Sequence, residues 1–197
     1  MRVVVVGGVA GGMSAAARLR RRDEGAEIIV LERSKYVSFA NCGLPYYVGG
    51  EIEDPAKLLL HTPQSLKAAL NLDVRINSEV MAIDPGAHSV QVTNTETGEA
   101  YTLTYDHLIL SPGALASRPP IDGLDSPRVH TLRTVDDALA LREASGTRAV
   151  VLGAGFIGIE VVEALAQRGF ETHLVELAEH VLPPLEVEMA TLVTGEG

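Results

Sequence analysis

Cysteine is almost absent from this chain: Cys42 stands alone among 197 residues. One thiol excludes an intramolecular disulfide framework and predicts a reducing, cytoplasmic setting. Tryptophan is missing and aromatic residues make up only 4%, so recognition of nucleic acid by stacked bases is not expected. Positive charge is scarce as well. With 16 basic against 26 acidic side chains the formal net charge is -10, which disfavours a polyanionic partner. No apolar run approaches the roughly 20 residues of a membrane span. Met1 leads straight into a strand pattern, without the basic and apolar regions of a secretory leader, so no membrane association is expected. The six histidines are scattered, and His61, His107, His130, His173 and His180 have no metal-ligand spacing; no metal is predicted. What the chain does have is 46% hydrophobic content, ample for one large or two small packed domains.

The run from Arg2 to Val6 reads as a strand buried on both faces of a parallel sheet. It enters Gly7, Gly8, Val9, Ala10, Gly11 and Gly12, then a helical stretch over 13–22, then a second strand over 28–31 that ends in Glu32 and Arg33. Glycines at this point let the backbone approach a pyrophosphate set on the helix N-terminus, and the terminal acid can accept hydrogen bonds from a ribose diol. The turn departs from G-x-G-x-x-G, because Gly7 and Gly12 fill the first and third positions while Val9 occupies the second. The same order returns in full further on: strand 148–152, then Gly153, Ala154, Gly155, Phe156, Ile157 and Gly158, helix 159–167, strand 171–175 and Glu176. An acid at Glu176 favours a free 2'-hydroxyl, hence NADH over NADPH.

Between these two patterns, Thr62 and Pro63 predict the start of a short helix through Leu70. Short strands near 73–77, 80–83, 89–93 and 100–104, separated by Asp84-Pro85-Gly86 and Glu96-Thr97-Gly98, predict an antiparallel meander over about 74–104. A buried strand follows and stops at Ser111, Pro112, Gly113 and Ala114. The predicted organisation is a first domain over 1–113, a Pro- and Gly-rich linker over 114–128 and a second domain over 129–197. The fold class is α/β, with two Rossmann-like dinucleotide-binding folds, the first carrying the inserted meander and the second incomplete. After Glu176 only a short helix near 185–193 remains, too little for the further strands of a doubly wound sheet.

Cys42 lies in Ser38-Phe39-Ala40-Asn41-Cys42-Gly43-Leu44-Pro45-Tyr46-Tyr47, a polar turn with Pro45 placed to open a helix. A thiol there has its thiolate stabilised by unpaired N–H groups and the helix dipole; a buried, inert cysteine is the plain alternative. The fifth residue after it is Tyr47, so no neighbouring thiol can close a local disulfide. Exchange with a small-molecule thiol through a mixed disulfide, or oxidation to a sulfenic acid by peroxide or oxygen, both remain open. Ser14, Arg18 and Arg21 share one face of the first helix by their spacing, either as a solvated surface or as a cradle for an anionic ligand. Arg20 and Arg22 belong to the same basic bunch.

Two dinucleotide folds with a reactive cysteine after the first imply a flavin and a nicotinamide exchanging a hydride, with electrons leaving through a thiol. The chain resembles the N-terminal part of the coenzyme A disulfide reductases, in the pyridine nucleotide-disulfide oxidoreductase family, over residues 1 to about 190; Ser38–Tyr47 is the most specific element. The resemblance implies FAD on Gly7, Gly8, Val9, Ala10, Gly11, Gly12, Glu32 and Arg33, with Ser111, Pro112 and Gly113 closing over it. It implies NAD(P)H on Gly153, Gly155, Phe156, Ile157, Gly158 and Glu176. It makes Cys42 the catalytic thiol, places coenzyme A on Ser14, Arg18, Arg21, Ser38 and Asn41, and makes the longer relatives homodimers. Related NADH oxidases and peroxidases carry a histidine in the first glycine turn where this chain has Ala10, which favours a disulfide acceptor; a persulfide stays open. A truncated chain that binds nucleotides without turnover, or a redox-responsive interaction protein, are the readings from other classes.

Overall fold

The computed structural model describes residues 1–195; residues 196 and 197, at the end of the second predicted domain, lie outside the described residues. In chain order the elements are β1 (Arg2–Val6), α1 (Ala10–Arg22), β2 (Glu27–Leu31), α2 (Leu44–Gly49), α3 (Pro63–Leu70), β3 (Asp73–Arg75), β4 (Ser78–Asp84), β5 (Ser89–Asn94), β6 (Ala100–Thr104), β7 (His107–Leu110), α4 (Val135–Glu143), β8 (Arg148–Leu152), α5 (Phe156–Gln167), β9 (Glu171–Val175) and α6 (Val187–Gly195). They pack as two compact units. One holds Met1–Ala40 with Leu59–Leu115; the other holds Asn41–Leu58 with Ala116–Gly197.

The first unit has three layers. Its parallel sheet runs β3-β2-β1-β7, with Val4 opposite Ile29 and Leu108 across the register. Alternation sorts the side chains of β1 and β2 to the two faces. Val3, Val5, Ile28 and Val30 face Met13 and Ala16 of α1 and Leu66 of α3. Val4, Ile29 and Leu31 face Val90 and Val92 of β5. A central strand covered on both sides must be apolar throughout, which is why β1 reads as a valine run. Each such side chain contributes about 1.5–3 kcal/mol when fully buried.

The meander is β4-β5-β6 and antiparallel, and it begins at Ser78. The stretch near Asp73 belongs to the other sheet: β3 pairs in parallel with β2, Val74 opposite Val30, because Leu72, Val74 and Ile76 all pack into the core beneath α1. α3 starts where expected. Thr62 accepts from the Ser65 N–H at 3.1 Å while Ser65 Oγ accepts from the Thr62 N–H at 3.0 Å, a closed capping box.

In the second unit β8 and β9 pair in parallel in matched register, Val151 opposite Leu174, and among the described residues they form a two-stranded sheet. The short α2 packs on α4 and α5, which groups Asn41–Leu58 with this unit and not with the continuous 1–113 stretch expected from the sequence. α4 lies outside the elements predicted from the sequence. Its start is a second capping box, with Thr134 Oγ1 accepting from Asp137 N–H at 3.1 Å and Asp137 accepting from Thr134 N–H at 2.9 Å.

Candidate functional site: two glycine turns and an exposed thiol

The two glycine turns are built to one plan, each within its own unit. Gly7 and Gly153 sit at φ +102° and +100°, a conformation glycine adopts without steric cost. Each donates its N–H to the end of the second strand, Gly7 to Leu31 O and Gly153 to Val175 O, both at 2.8 Å. The following residue donates to the acid: Gly8 N–H to Glu32 Oε2 at 2.7 Å, Ala154 N–H to Glu176 Oε2 at 2.5 Å. A methyl group on Gly12 would overlap the Gly7 carbonyl oxygen, and one on Gly158 would overlap that of Gly153. These close approaches bring each helix onto its strand.

The helix starts differ from those of α3 and α4. Neither Val9 nor Gly155 gives α1 or α5 a side-chain cap, and neither helix has an acid in its first turn. Their leading N–H groups are therefore left to a ligand, and the positive end of each helix dipole favours an anionic one. Beside the second turn the space is open, since a methyl group on Gly153 or Gly155 would meet nothing within 4 Å. The first turn is backed by Ser111, whose N–H donates to Val6 O at 2.7 Å and whose Oγ would lie 3.2 Å from a methyl group on Gly11. Pro112 and Gly113 continue from it on the surface.

The acids have acceptor capacity to spare. Glu32 is 7% exposed; among the described residues it accepts, besides the Gly8 N–H, only that of Ser34, at 2.9 Å, two of about four lone-pair sites on a carboxylate. That leaves one position on each oxygen, the pattern a vicinal diol needs. Glu176 Oε1 accepts from Leu177 and Ala178 N–H at 2.7 and 2.8 Å. The Ala178 N–H, then the Ala154 N–H, hold its carboxyl below the usual carboxylate range. A carboxylate accepting several backbone N–H bonds stays ionised.

Cys42 is exposed and free, in a single 3-10 turn, Asn41–Gly43, directly ahead of α2. The residues named from the sequence divide between the units. The first gathers the Gly7–Gly12 turn, Glu32, Arg33, Ser111–Gly113, Ser14, Arg18, Arg21 and Ser38; the second gathers Asn41, Cys42, the Gly153–Gly158 turn and Glu176. Ser14, Arg18 and Arg21 are all solvent-exposed on α1, as is Arg33 after β2. Arg20 is not part of that face. It is 8% exposed and donates to the carbonyls of Leu70, Asp23, Glu24 and Asn71 at 2.6–3.2 Å. Its spacing from Met13 and Ala16 put it on the buried stripe of the helix, a signal hidden by the exposed arginines around it. Among the described residues no group of His, Cys, Asp and Glu could hold a metal, and no helix is long and apolar enough to cross a membrane.

Strand, glycine turn, uncapped helix, strand and acid, repeated once, are the parts of a dinucleotide-binding oxidoreductase. Residues 1–196 match the pyridine nucleotide-disulphide oxidoreductase family, and the chain belongs to it. The cofactors of that family are FAD and NAD(P)H, and the uncapped helix starts and spare acceptors on the acids fit both. The coenzyme A disulfide reductase of Staphylococcus haemolyticus is 37% identical over 199 residues, covering 99% of this chain and 44% of that protein. The reduced CoADR-RHD of Bacillus anthracis has a similar structure, with a TM-score of 0.95 and 48% identity over 99% of this chain and 36% of the other. The NAD-dependent persulfide reductase from A. fulgidus aligns with a TM-score of 0.94 and 39% identity over 100% of this chain and 37% of its own. The chain thus spans less than half the length of each.

Proposed function

We propose that this chain supplies the flavin fold, the pyridine-nucleotide fold and the redox thiol of an enzyme that reduces coenzyme A disulfide, or a related small disulfide or persulfide, with NAD(P)H. The observation that carries the reading is Cys42, an exposed free thiol in a turn, in a chain with two ligand-ready glycine turns. Gly7–Gly12, Glu32, Arg33 and Ser111–Gly113 hold FAD; Gly153–Gly158 and Glu176 hold the nicotinamide nucleotide, with the ionised Glu176 favouring NADH. FAD, when bound, supplies two-electron redox chemistry between nicotinamide and disulfide.

The protein's own part is thiol exchange. The Cys42 thiolate attacks one sulfur of the disulfide, forming a Cys42-S-S-coenzyme A bond and expelling one coenzyme A as its thiolate, which takes up a proton to leave as the thiol. Reduction of that bond by two electrons with uptake of one proton returns the thiolate and releases the second. In sum, NAD(P)H, a proton and coenzyme A disulfide give NAD(P)+ and two coenzyme A thiols. The exposed guanidinium groups of Arg18 and Arg21 provide counter-charge for coenzyme A phosphates, with Ser14, Ser38 and Asn41 as hydrogen-bonding partners. Ala10 puts a methyl group where the oxidases and peroxidases carry a histidine, which supports a disulfide acceptor over oxygen or peroxide. By the family resemblance the working enzyme is a homodimer.

The visible absorption spectrum tests this directly. The chain purified with FAD should show flavin bands that bleach on anaerobic NADH, with a long-wavelength thiolate-to-flavin band that is lost in Cys42→Ser. A colourless chain that cannot be reconstituted with FAD would overturn the flavoenzyme reading.

A further inference from the structure

Two residues outside the glycine turns repeat the plan one step further. Ser38 and Leu182 both lie in the left-handed region, each at φ +50°, where a residue with a side chain is uncommon and costs free energy. Each donates its N–H to the second residue of the neighbouring turn in its own unit: Ser38 to Gly8 O at 2.8 Å, Leu182 to Ala154 O at 2.8 Å. The two side chains have nothing in common, one a half-buried hydroxyl and the other a leucine 6% exposed. What they share is backbone.

A trans peptide points its C=O and its N–H in opposite directions. Fixing the Gly8 carbonyl on Ser38 therefore aims the Val9 N–H away from Ser38, and fixing the Ala154 carbonyl on Leu182 aims the Gly155 N–H away from Leu182. Among the described residues neither N–H has a partner. Both head the uncapped starts of α1 and α5, and beside Gly155 the space is open. The acid holds one side of the residue, through the N–H of Gly8 or Ala154, and the left-handed residue holds the other, through its C=O. Without the second tie the following peptide is free to turn and present a carbonyl oxygen to an anion.

We propose that Ser38 and Leu182 are positioning residues. Each uses its backbone N–H, held at positive φ, to lock the peptide after the second turn residue so that a donor faces the diphosphate of the bound dinucleotide. Ser38 does this for FAD and Leu182 for the pyridine nucleotide. This rests on the cofactor assignment above and adds to Ser38 a role independent of its hydroxyl.

Five variants of the full chain test it, with FAD retention read by the flavin absorbance and ADP-ribose binding by calorimetry. Proline cannot reach φ +50° and has no N–H, whereas glycine reaches it freely and keeps the donor. L182P should weaken ADP-ribose binding about 10- to 100-fold and leave FAD in place. S38P should release FAD and leave ADP-ribose binding within about 2-fold, the margin expected for independent sites. L182G and S38G should keep both ligands. Replacing Leu182 by its α-hydroxy acid, which removes the N–H alone, should reproduce L182P without a change of side chain. Unchanged ADP-ribose binding in L182P or in the ester, or a loss in L182G as large as in L182P, overturns the proposal. A wild-type chain that binds neither FAD nor ADP-ribose refutes the cofactor assignment itself and this inference with it.

Discussion

A methyl group on Gly49 would lie 3.2 Å from the Ala164 Cα: α2, which follows the cysteine turn, crosses α5 with backbones nearly touching. Arg142 of α4 secures the same end of α2, donating to Val48 O at 3.1 Å with its guanidinium over the Tyr47 ring. Arg168 in turn donates to Leu141, Arg142 and Ala144 carbonyls at 2.6–3.0 Å. Burial and the neighbouring Arg142 push its guanidinium pKa down.

Bulk at that crossing is therefore costly. Gly49→Leu should destabilise the second unit by about 1–3 kcal/mol through overpacking, whereas Gly49→Ala has only a few tenths of an ångström to find and should cost far less. Thermal unfolding of the two variants measures the difference; equal midpoints would show that the helices part freely.

The third glycines allow a crossed comparison. A methyl group at Gly12 or Gly158 overlaps a carbonyl oxygen that cannot move without moving the turn, a cost of about 1–3 kcal/mol or more. Gly12→Ala should lose FAD and keep ADP-ribose binding; Gly158→Ala should do the reverse. Flavin absorbance and calorimetry on both variants check this, and loss of both ligands in either one contradicts it.

Arg20 joins the C-terminal ends of α1 and α3 through carbonyls alone. Arg20→Met strands those carbonyls and should cost about 2–4 kcal/mol. Arg20→Lys keeps the charge but not the fork, so it should recover less than half of that loss. Chemical denaturation reads both. A surface arginine would give a change within about 0.5 kcal/mol.

Glu176 gives a pH signature. Its carboxyl is held below the ordinary value near 4.5 by the backbone N–H groups of Ala178 and Ala154. A depressed pKa means that the ionised form is favoured in the fold, so its contribution is present above the ordinary pKa and is lost as pH falls through the lower, folded value. NAD+ affinity should be flat from about pH 5.5 to 8 and decline only in more acid solution; Glu176→Gln should bind more weakly and without that decline. A fall in wild-type affinity between about pH 7 and 5.5 would remove Glu176 from the nucleotide site.

Much of this was legible because it rests on local rules. A strand buried on both faces must be apolar, and a helix brought against its strand must have glycine where a methyl group would strike a carbonyl; Val3–Val6, Gly12 and Gly158 announce themselves on those grounds. Thr134 and Asp137 carry an equally plain capping signal, but it sits just after a Pro- and Gly-rich run whose composition reads as a linker. The rest depends on backbone contacts that side-chain identity does not encode. Nothing in the letters Ser38 or Leu182 shows a left-handed peptide, and nothing in Asp73-Val74-Arg75 says which of two sheets it joins. The grouping of Asn41–Leu58 with α4 and α5 follows from a helix crossing at Gly49, a contact that no local pattern encodes.

That grouping means the two folds are interlaced and not strung in series. Three passages of the chain, at 40–41, 58–59 and 115–116, lead from one unit to the other, so no single cut separates them. A piece ending at residue 113 would carry α2 without the helices it packs on, and a piece beginning near 116 would lack the cysteine. Any exchange of the second unit between relatives has to bring residues 41–58 along, and Cys42 would be inherited with it as one module.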